Sequence, residues 1–233
     1  MQIVCSLAAI PERKENLSLI VGSLLPQCDS LFVNLINFER IPKCLHHSKI
    51  ITNHFRVFGS EVRFFDYSNC DNETYYFTVD DDILYPENYV STMLAEMKKL
   101  NNDSVVCVHG SRINLQQESD FYMNGREVFH FMDELRSDTV VMLPGVGTSC
   151  FYRGKAHIDL NRFEHKNMSD VFVGCLMAEQ KIPIISLKRP RGWLKQLHGG
   201  GKNIWRSNPK TQIDLVIRDY KKHLVKINLS SRG

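Results

Sequence analysis

Residues 75–86 read YYFTVDDDILYP, and this stretch decides how the whole chain is interpreted. Residues 75–79 are all aromatic or β-branched, which is the composition of a buried strand. Three aspartates follow at once, and Tyr85-Pro86 then opens a helical pattern that extends to residue 100. A strand that runs directly into acidic residues and then a helix predicts a ligand site at the carboxyl end of a strand in an α/β domain.

Short apolar segments alternate with helical patterns on both sides of this stretch. The region 110–140 has a weaker pattern, which is typical of an insertion or a long active-site loop. The alternation predicts an α/β fold with a mostly parallel, Rossmann-like sheet that helices cover on both faces. Further strands are expected over residues 3–9, 31–36, 50–51, 62–65, 104–109, 140–143, 148–152 and 182–187, and helices over 17–25, 41–47, 168–179 and 214–225.

The length of 233 residues suits one α/β domain with a short C-terminal extension. No stretch approaches the ~20 apolar residues of a membrane span. The N-terminus has neither the positive region nor the long apolar region of a signal peptide. We therefore expect a soluble, cytoplasmic protein, and its oligomeric state is open at this point.

Charge and cysteine content argue against three classes of protein: nucleic-acid-binding, zinc-cage and disulfide-framework proteins. With 29 Lys and Arg against 26 Asp and Glu, the net charge of +3 is too small to indicate nucleic acid as a partner. It suits an anionic ligand and an anionic membrane surface equally well. Seven scattered cysteines without a CxxC pair predict reduced thiols, and they argue against both a zinc cage and a disulfide framework.

The three adjacent carboxylates carry the chemistry of residues 75–86. Each ionised neighbour makes the next carboxylate harder to ionise, and a bound divalent cation removes that cost. Alternate residues of an extended stretch point the same way, so Asp80 and Asp82 are expected to face one site and Asp81 to face elsewhere. Two carboxylates and substrate phosphates suit Mg²⁺ or Mn²⁺. The alternatives are a solvated acidic turn and acidic residues at a helix N-terminus.

Residues 75–86 resemble the metal-binding Asp-x-Asp segment of GT-A-fold glycosyltransferases. The likeness is to the family 2-type enzymes of bacterial surface polysaccharide biosynthesis, which make capsule and lipopolysaccharide. Residues 6–13, SLAAIPER, resemble the donor-binding first strand and loop of these enzymes. With VHGS at 108–111, MSDVF at 168–172 and RGWL at 191–194, the resemblance extends over roughly residues 1 to 200.

The resemblance implies a division of the chain into functional parts. A GT-A domain over 1–205 would have a donor half at about 1–110 and an acceptor half at about 111–205. Residues 206–233 would form a basic C-terminal helix or extension. Such a basic end suits peripheral contact with the inner face of an anionic membrane that carries a lipid-linked acceptor, or a linker to a further domain.

The resemblance also implies roles for single residues on the donor side. Asp82 would be the direct metal ligand, with Asp80 contacting the metal and donor, and Asp81 would lie at the donor site. Ala8, Pro11 and Arg13 would contact the base and ribose of the donor. For Arg13, the alternative is an ordinary surface position.

Later residues would complete the site. Asp170, at the start of a predicted helix, would be the base that deprotonates the acceptor hydroxyl, or else an ordinary first-turn acid. His198 would complete the metal shell, unless it is an incidental loop residue. Lys195 and Lys202 would approach the diphosphate. The glycines of residues 145–147 suit either a close backbone approach to a sugar or a simple turn.

The function implied is metal-dependent transfer of a sugar from a nucleotide-diphosphate sugar, with UDP as the expected nucleotide. The acceptor would be a hydroxyl of a glycan or of a lipid-linked molecule, and the anomeric carbon would be inverted. One alternative is a sugar nucleotidyltransferase, which usually has a glycine-rich loop after the first strand, whereas residues 8–14 contain no glycine. The other is a non-catalytic carbohydrate- or nucleotide-binding module, which leaves the acidic residues unexplained.

Overall fold

A computed structural model describes residues 1–56, 59–116, 124–198, 213–214, 216–218, 221 and 223. The helices are α1 (Leu17–Leu24), α2 (Tyr89–Lys99) and α3 (Ser169–Gln180), with 3₁₀ helices at Pro11–Asn16, Leu25–Gln27, Lys43–Leu45, Ser60–Phe64, Tyr67–Asn69 and Leu160–Arg162. The strands are β1 (Gln2–Ala9), β2 (Ser30–Ile36), β3 (Ile50–Phe55), β4 (Thr74–Asp80), β5 (Ile83–Leu84), β6 (Val105–Cys107), β7 (Gly110–Ile113), β8 (Arg126–Phe129), β9 (Thr139–Val141), β10 (Leu143–Pro144), β11 (Thr148–Tyr152), β12 (Ile184–Ser186) and β13 (Lys195–Gln196).

Eight of these strands form one mixed sheet in the order β3-β2-β1-β4-β11-β6-β12-β9. The first four strands in this order are parallel, and β12 is parallel to β6. Only β11 and β9 run against their neighbours. Two smaller sheets, β10-β7-β8 and β13-β5, lie beyond this sheet. The predicted α/β fold with a mostly parallel sheet is confirmed.

Strand β4 lies in the middle of the sheet and is buried along its first six residues. Tyr75, Phe77 and Val79 pack in the cluster that includes α1 and α2. Tyr76 points to the opposite face, where it packs with α3 and with the 3₁₀ helix Ser60–Phe64. Each large apolar side chain buried in this way contributes about 1.5–3 kcal/mol. Helices therefore cover both faces, and only the acidic end of β4 reaches an open surface.

Two regions differ from the sequence prediction. The strand expected at 62–65 is wrong, because these residues lie in and directly after the 3₁₀ helix Ser60–Phe64. Val62, Arg63 and Phe64 are all buried, so packing of a consecutive run on the sheet overrides the strand preference of Val and Phe. The region 110–140, expected to be a loop, contains β7, β8 and the start of β9.

The C-terminal helix is described at only a few positions. Residues 213–214, 216–218, 221 and 223 are helical, in agreement with the helix expected at 214–225. Ile213, Val216 and Ile217 are buried in a cluster with residues of α3. The extension proposed for 206–233 otherwise lies outside the described residues.

All seven cysteines are free thiols, as the sequence predicts. In the described part of the chain, no helix has both the length and the apolar character needed to cross a membrane.

Gly174→Ala tests how closely α3 packs on β10. A Cβ at Gly174 would lie 2.5 Å from Cδ2 of Leu143 and 2.6 Å from the carbonyl oxygen of Met142. We expect the substitution to lower the free energy of unfolding by about 1–3 kcal/mol. Gly22→Ala in α1 is the matched control, since a Cβ there meets nothing within 4 Å, and alanine's helix propensity predicts a gain of up to about 1 kcal/mol. Urea denaturation measures both, and equal effects would contradict this packing.

Candidate active site

A cavity of about 1080 Å³ opens where β1 and β4 end. Ala8 and Asp80 are paired in the parallel register of these two strands, and both line the cavity. Pro11 and Arg13, in the 3₁₀ helix that follows β1, also line it. Parallel strands bring their carboxyl ends to one edge, so the loop after β1 lies beside the acidic segment Asp80–Asp82.

Asp81 fixes the loop after β1 to the acidic segment. Its carboxylate is buried and accepts hydrogen bonds from the backbone N–H of Ile10 at 2.9 Å and from Nη1 of Arg13 at 2.7 Å. Nδ2 of Asn16 donates to the carbonyl oxygen of Asp81 at 3.2 Å. Nη1 of Arg13 also lies 2.9 Å from Oδ2 of Asp82. Arg13 is therefore an ion-pair partner of two aspartates at the cavity wall.

The expected alternation of the three aspartates is wrong. Strand β4 ends at Asp80, and Asp81 and Asp82 form a turn, so the two-residue period of an extended chain stops there. All three aspartates line the cavity. Asp81 is the most deeply buried of them and acts as the anchor of the turn.

Asp80 is held from two other directions. Oδ1 of Asp80 pairs with Nη2 of Arg63, a buried arginine that also lines the cavity. The hydroxyl of Tyr85 accepts a hydrogen bond from the backbone N–H of Asp80 at 2.8 Å and donates to the carbonyl oxygen of Gly147 at 2.6 Å. A Cβ at Gly147 would overlap the Asp80 carboxylate. The backbone at Gly147 therefore lies against Asp80, and a close approach of residues 145–147 to a sugar stays a prediction.

The acidic segment retains excess negative charge despite its two arginines. Burial, followed by the charge of Asp80, raises the pKa of Asp82 to about 6, although Arg13 acts in the opposite direction. A divalent cation stabilises carboxylates whose ionisation is costly in this way. Carboxylate oxygens also have the chemistry that Mg²⁺ and Mn²⁺ prefer. Asp80 and Asp82 thus fit a metal whose remaining ligands come from substrate and water.

The other residues expected at the metal and diphosphate do not line this cavity in the described part of the chain. His198 and Lys195 are exposed. Within the described ranges, no three His, Cys, Asp or Glu side chains form a group able to hold a metal. The backbone nearby is nevertheless attached to the acidic segment, since the N–H of Leu197 donates to the carbonyl oxygen of Asp82 at 2.7 Å. Lys202 lies outside the described residues.

Asp170 lies in the first turn of α3 and lines the same cavity. Its Oδ1 accepts a hydrogen bond from the backbone N–H of Val146 at 3.0 Å. Burial raises the pKa of Asp170 to about 6, against the opposing effects of the Val146 N–H and of Arg63. The charge of Asp80 adds to the increase. This arrangement has the properties of a general base that is ionised at neutral pH and still able to take a proton.

Sequence reasoning missed several cavity residues. Arg63 lies in an apolar run that predicts a strand. The one sign of a site there was a charged residue between apolar neighbours. His109 stands in the VHGS segment, to which no role was given. Arg126 and His130 lie in the region expected to be a loop, and the sequence contains no signal for them.

Comparison with known proteins identifies the fold. No protein-family model matches the sequence, and no curated protein matches it significantly. S. aureus TarS residues 1–349, solved in complex with UDP-GlcNAc, matches over 96% of this chain and 66% of that chain, with 11% identity and a TM-score of 0.59. A longer S. aureus TarS chain matches at 9% identity, 96% and 43% coverage and a TM-score of 0.51.

A 4-diphosphocytidyl-2C-methyl-D-erythritol synthase matches with 11% identity over 95% of this chain and all of that chain, but its TM-score of 0.44 is too low to carry an argument. This chain spans just under two thirds of the TarS fragment and less than half of the longer TarS chain. At these identities the likeness shows the fold alone. The chain thus has a GT-A glycosyltransferase-like fold, as its resemblance to enzymes of bacterial surface polysaccharide biosynthesis predicts.

Asp81→Ala and Asp82→Ala separate the anchor of the acidic segment from its cavity-facing ligand. Removal of the Asp81 carboxylate leaves the N–H of Ile10 and the Arg13 guanidinium without their buried acceptor. We expect a loss of about 2–3 kcal/mol in the free energy of unfolding. Asp82→Ala removes a carboxylate whose ionisation burial disfavours, so we expect a loss of less than about 1 kcal/mol. Urea denaturation measures both variants, and the reverse order would refute the assigned roles.

Proposed function

We propose that the chain is a glycosyltransferase that moves a sugar from a nucleoside-diphosphate sugar to a hydroxyl of a glycan or lipid-linked acceptor. The expected donor is a UDP-sugar. The observation that carries the proposal is that the acidic segment Asp80–Asp82 and the carboxyl of Asp170 line one cavity, with the turn at 145–147 between them. The first group suits a metal-bound diphosphate, and the second suits an acceptor hydroxyl.

The charge of the cavity wall explains why a metal belongs to this proposal. Among the described residues that line it, five carboxylates (Glu12, Asp80, Asp81, Asp82 and Asp170) stand against three guanidiniums (Arg13, Arg63 and Arg126). A diphosphate is itself anionic and would be repelled by this wall. Asp80 and Asp82 would hold Mg²⁺ or Mn²⁺, which would neutralise charge on the diphosphate as the leaving group departs.

The residues of the chain then have separate tasks in the transfer. The loop containing Ala8, Pro11 and Arg13 lies against the nucleoside, and Asp81 keeps that loop in place. Asp170 accepts the proton of the acceptor hydroxyl while the acceptor oxygen attacks the anomeric carbon. The bond from that carbon to the diphosphate breaks, and the leaving group takes the bonding electrons. Attack from the side of Asp170, opposite the leaving group, inverts the anomeric carbon.

The likeness in fold to TarS, solved with UDP-GlcNAc, supports a nucleotide-sugar as the ligand of this cavity. Three features are outside what the fold supports. These are the metal ligand His198 with Lys195 and Lys202 near the diphosphate, the identity of the acceptor, and contact of residues 206–233 with a membrane. They are part of the proposal as the resemblance in sequence implies them.

Donor turnover across a panel of nucleotide-sugars tests the reaction class. Wild type, Asp82→Ala and Asp170→Asn are each assayed with Mn²⁺, with Mg²⁺ and with EDTA, and nucleotide release and sugar transfer are measured by mass spectrometry. We expect one donor to be turned over only with metal. The rate should fall by at least about 100-fold in each variant, with donor binding retained in Asp170→Asn.

Other outcomes point to the alternative functions. Formation of a nucleotide-sugar from a nucleoside triphosphate and a sugar phosphate would identify a nucleotidyltransferase. Binding of sugar or nucleotide without turnover of any donor would identify a non-catalytic module. Full activity in EDTA would contradict the metal role of Asp80 and Asp82.

The pH dependence of the reaction tests Asp170 as the base. Because burial raises the pKa of Asp170 to about 6, the active ionised form disappears below that pH. We expect kcat/KM to fall about tenfold per pH unit below 6 and to be level above it. The profile is measured at saturating Mn²⁺, which keeps Asp82 ionised. Asp170→Asn should lose this limb of the profile, and a limb that persists in the variant would exclude Asp170.

A further inference from the structure

The cavity has another wall, made of rings, to which the roles above assign nothing. It consists of His109, which lies between β6 and β7, and of His130 and Phe131, which follow β8. The rings of His130 and Phe131 stack with centroids 4.4 Å apart and planes at 29°. The ring of His109 meets that of His130 edge-on at 5.2 Å. We call these three side chains the ring wall.

The ring wall is held in place by the buried side chain of Arg189. Its Nη2 donates to the carbonyl oxygens of Phe129 at 3.1 Å and His130 at 2.8 Å. Its Nη1 donates to the carbonyl oxygen of Leu187 at 2.8 Å. The N–H of His109 donates to the side chain of Thr148 at 2.8 Å. A surface fixed in this way loses little conformational entropy when a ligand binds.

Burial lowers the pKa of both imidazoles of the ring wall, which favours their neutral forms. Nδ1 of His130 accepts a hydrogen bond from the backbone N–H of Met132 at 3.3 Å, which leaves the proton on Nε2. Burial, followed by the charges of His130 and Arg126, lowers the pKa of His109 to about 3. Nδ1 of His109 is buried without a hydrogen-bond partner. A buried lone pair without a hydrogen-bond partner costs less free energy than a buried N–H without one. The proton of the His109 ring is therefore assigned to Nε2.

The position of the ring wall relates it to Asp170. The carbonyl oxygen of His109 accepts a hydrogen bond from the N–H of Gly145 at 2.8 Å, and the next residue, Val146, donates to Asp170. In the sheet, β6 lies on one side of β4 with β11 between them, whereas β1 lies on the other side. The ring wall and the loop after β1 are therefore on opposite sides of the acidic end of β4.

We propose that the ring wall binds a pyranose ring of the acceptor and presents its hydroxyl to Asp170. The proposal rests on the proposed function, since it assumes that the donor occupies the other side of the cavity. Uncharged rings pack against the C–H face of a sugar, and imidazole N–H groups donate to its hydroxyls. Neutral rings offer no positive charge to the diphosphate of a donor. The cavity volume of about 1080 Å³ is slightly above the range for one ligand, ~300–1,000 Å³, which leaves space for a second sugar.

Saturation-transfer-difference NMR on the whole chain with UDP and Mg²⁺ tests the ring wall. The probes are the methyl pyranosides of glucose, galactose, mannose, N-acetylglucosamine and N-acetylgalactosamine. We expect at least one of them to bind through its ring C–H protons. His130→Ala should weaken this binding by about tenfold, and His130→Phe, which keeps a ring, should restore most of it. Met132→Ala is the control, because Met132 is an exposed neighbour outside the cavity lining, and it should leave binding unchanged.

Titration of UDP into the same variants separates the two proposals. We expect UDP affinity to be equal in wild type, His130→Ala and Met132→Ala. If UDP binds and no pyranoside does, or if His130→Ala binds the pyranoside as tightly as wild type, the ring wall is not a sugar site, while the proposed function stands. If pyranoside binding depends on His130 but UDP does not bind, the ring wall is a sugar site and the proposed function fails.

Discussion

The buried carboxylate of Asp81 is the interaction on which the rest of the site depends. It accepts one hydrogen bond from the backbone of Ile10 and another from the guanidinium of Arg13, so it joins the end of β4 to the loop after β1. Through Arg13 the same connection reaches Asp82. Because β1 and β4 are neighbours in parallel register, this single anchor sets the position of both segments that form one side of the cavity.

The opposite side is built around the turn at 145–147. Gly147 lies against the Asp80 carboxylate, and Val146 binds the carboxyl of Asp170. The antiparallel strand β11, which starts at Thr148, places this turn beside β4. Asp80 and Asp170, which are far apart in sequence, thus share one cavity, and the charge of Asp80 adds to the increase in the pKa of Asp170. In the proposed function, this turn separates the acidic segment, as the diphosphate site, from Asp170, as the proton acceptor.

Much of the fold could be predicted from local pattern. Helix α2 has apolar residues at helical spacing, and these are the residues it buries. Strand β4 and helix α3 are buried along almost their whole length, and their continuous apolar runs predicted them. The strand predicted at 62–65 is wrong. Consecutive residues are buried there, and such a run has no period that distinguishes a strand from a 3₁₀ helix. Strands β7 and β8 were missed because they are short and pair with each other beyond the main sheet.

Several residues of the candidate site were predictable from their places at the ends of strands and the start of a helix. Asp80, Asp82, Ala8, Pro11, Arg13 and Asp170 all line the cavity, and their positions at the ends of strands or the start of a helix suggested this. The pairing of Arg63 with Asp80 depends on a tertiary contact across the sheet edge, which spacing does not encode. The same holds for Arg189, whose partners include the backbone of residues 129 and 130. Asp81 was misplaced because the strand period was extended to Asp82, two residues beyond the end of β4.

The most direct test of this account is a crystal structure of the chain with a non-hydrolysable UDP-sugar and Mn²⁺. We expect the metal on Asp80 and Asp82, the nucleoside against the loop after β1, and the anomeric carbon facing the carboxyl of Asp170. A nucleotide bound outside this cavity, or a sugar turned away from Asp170 with the metal held elsewhere, would contradict it.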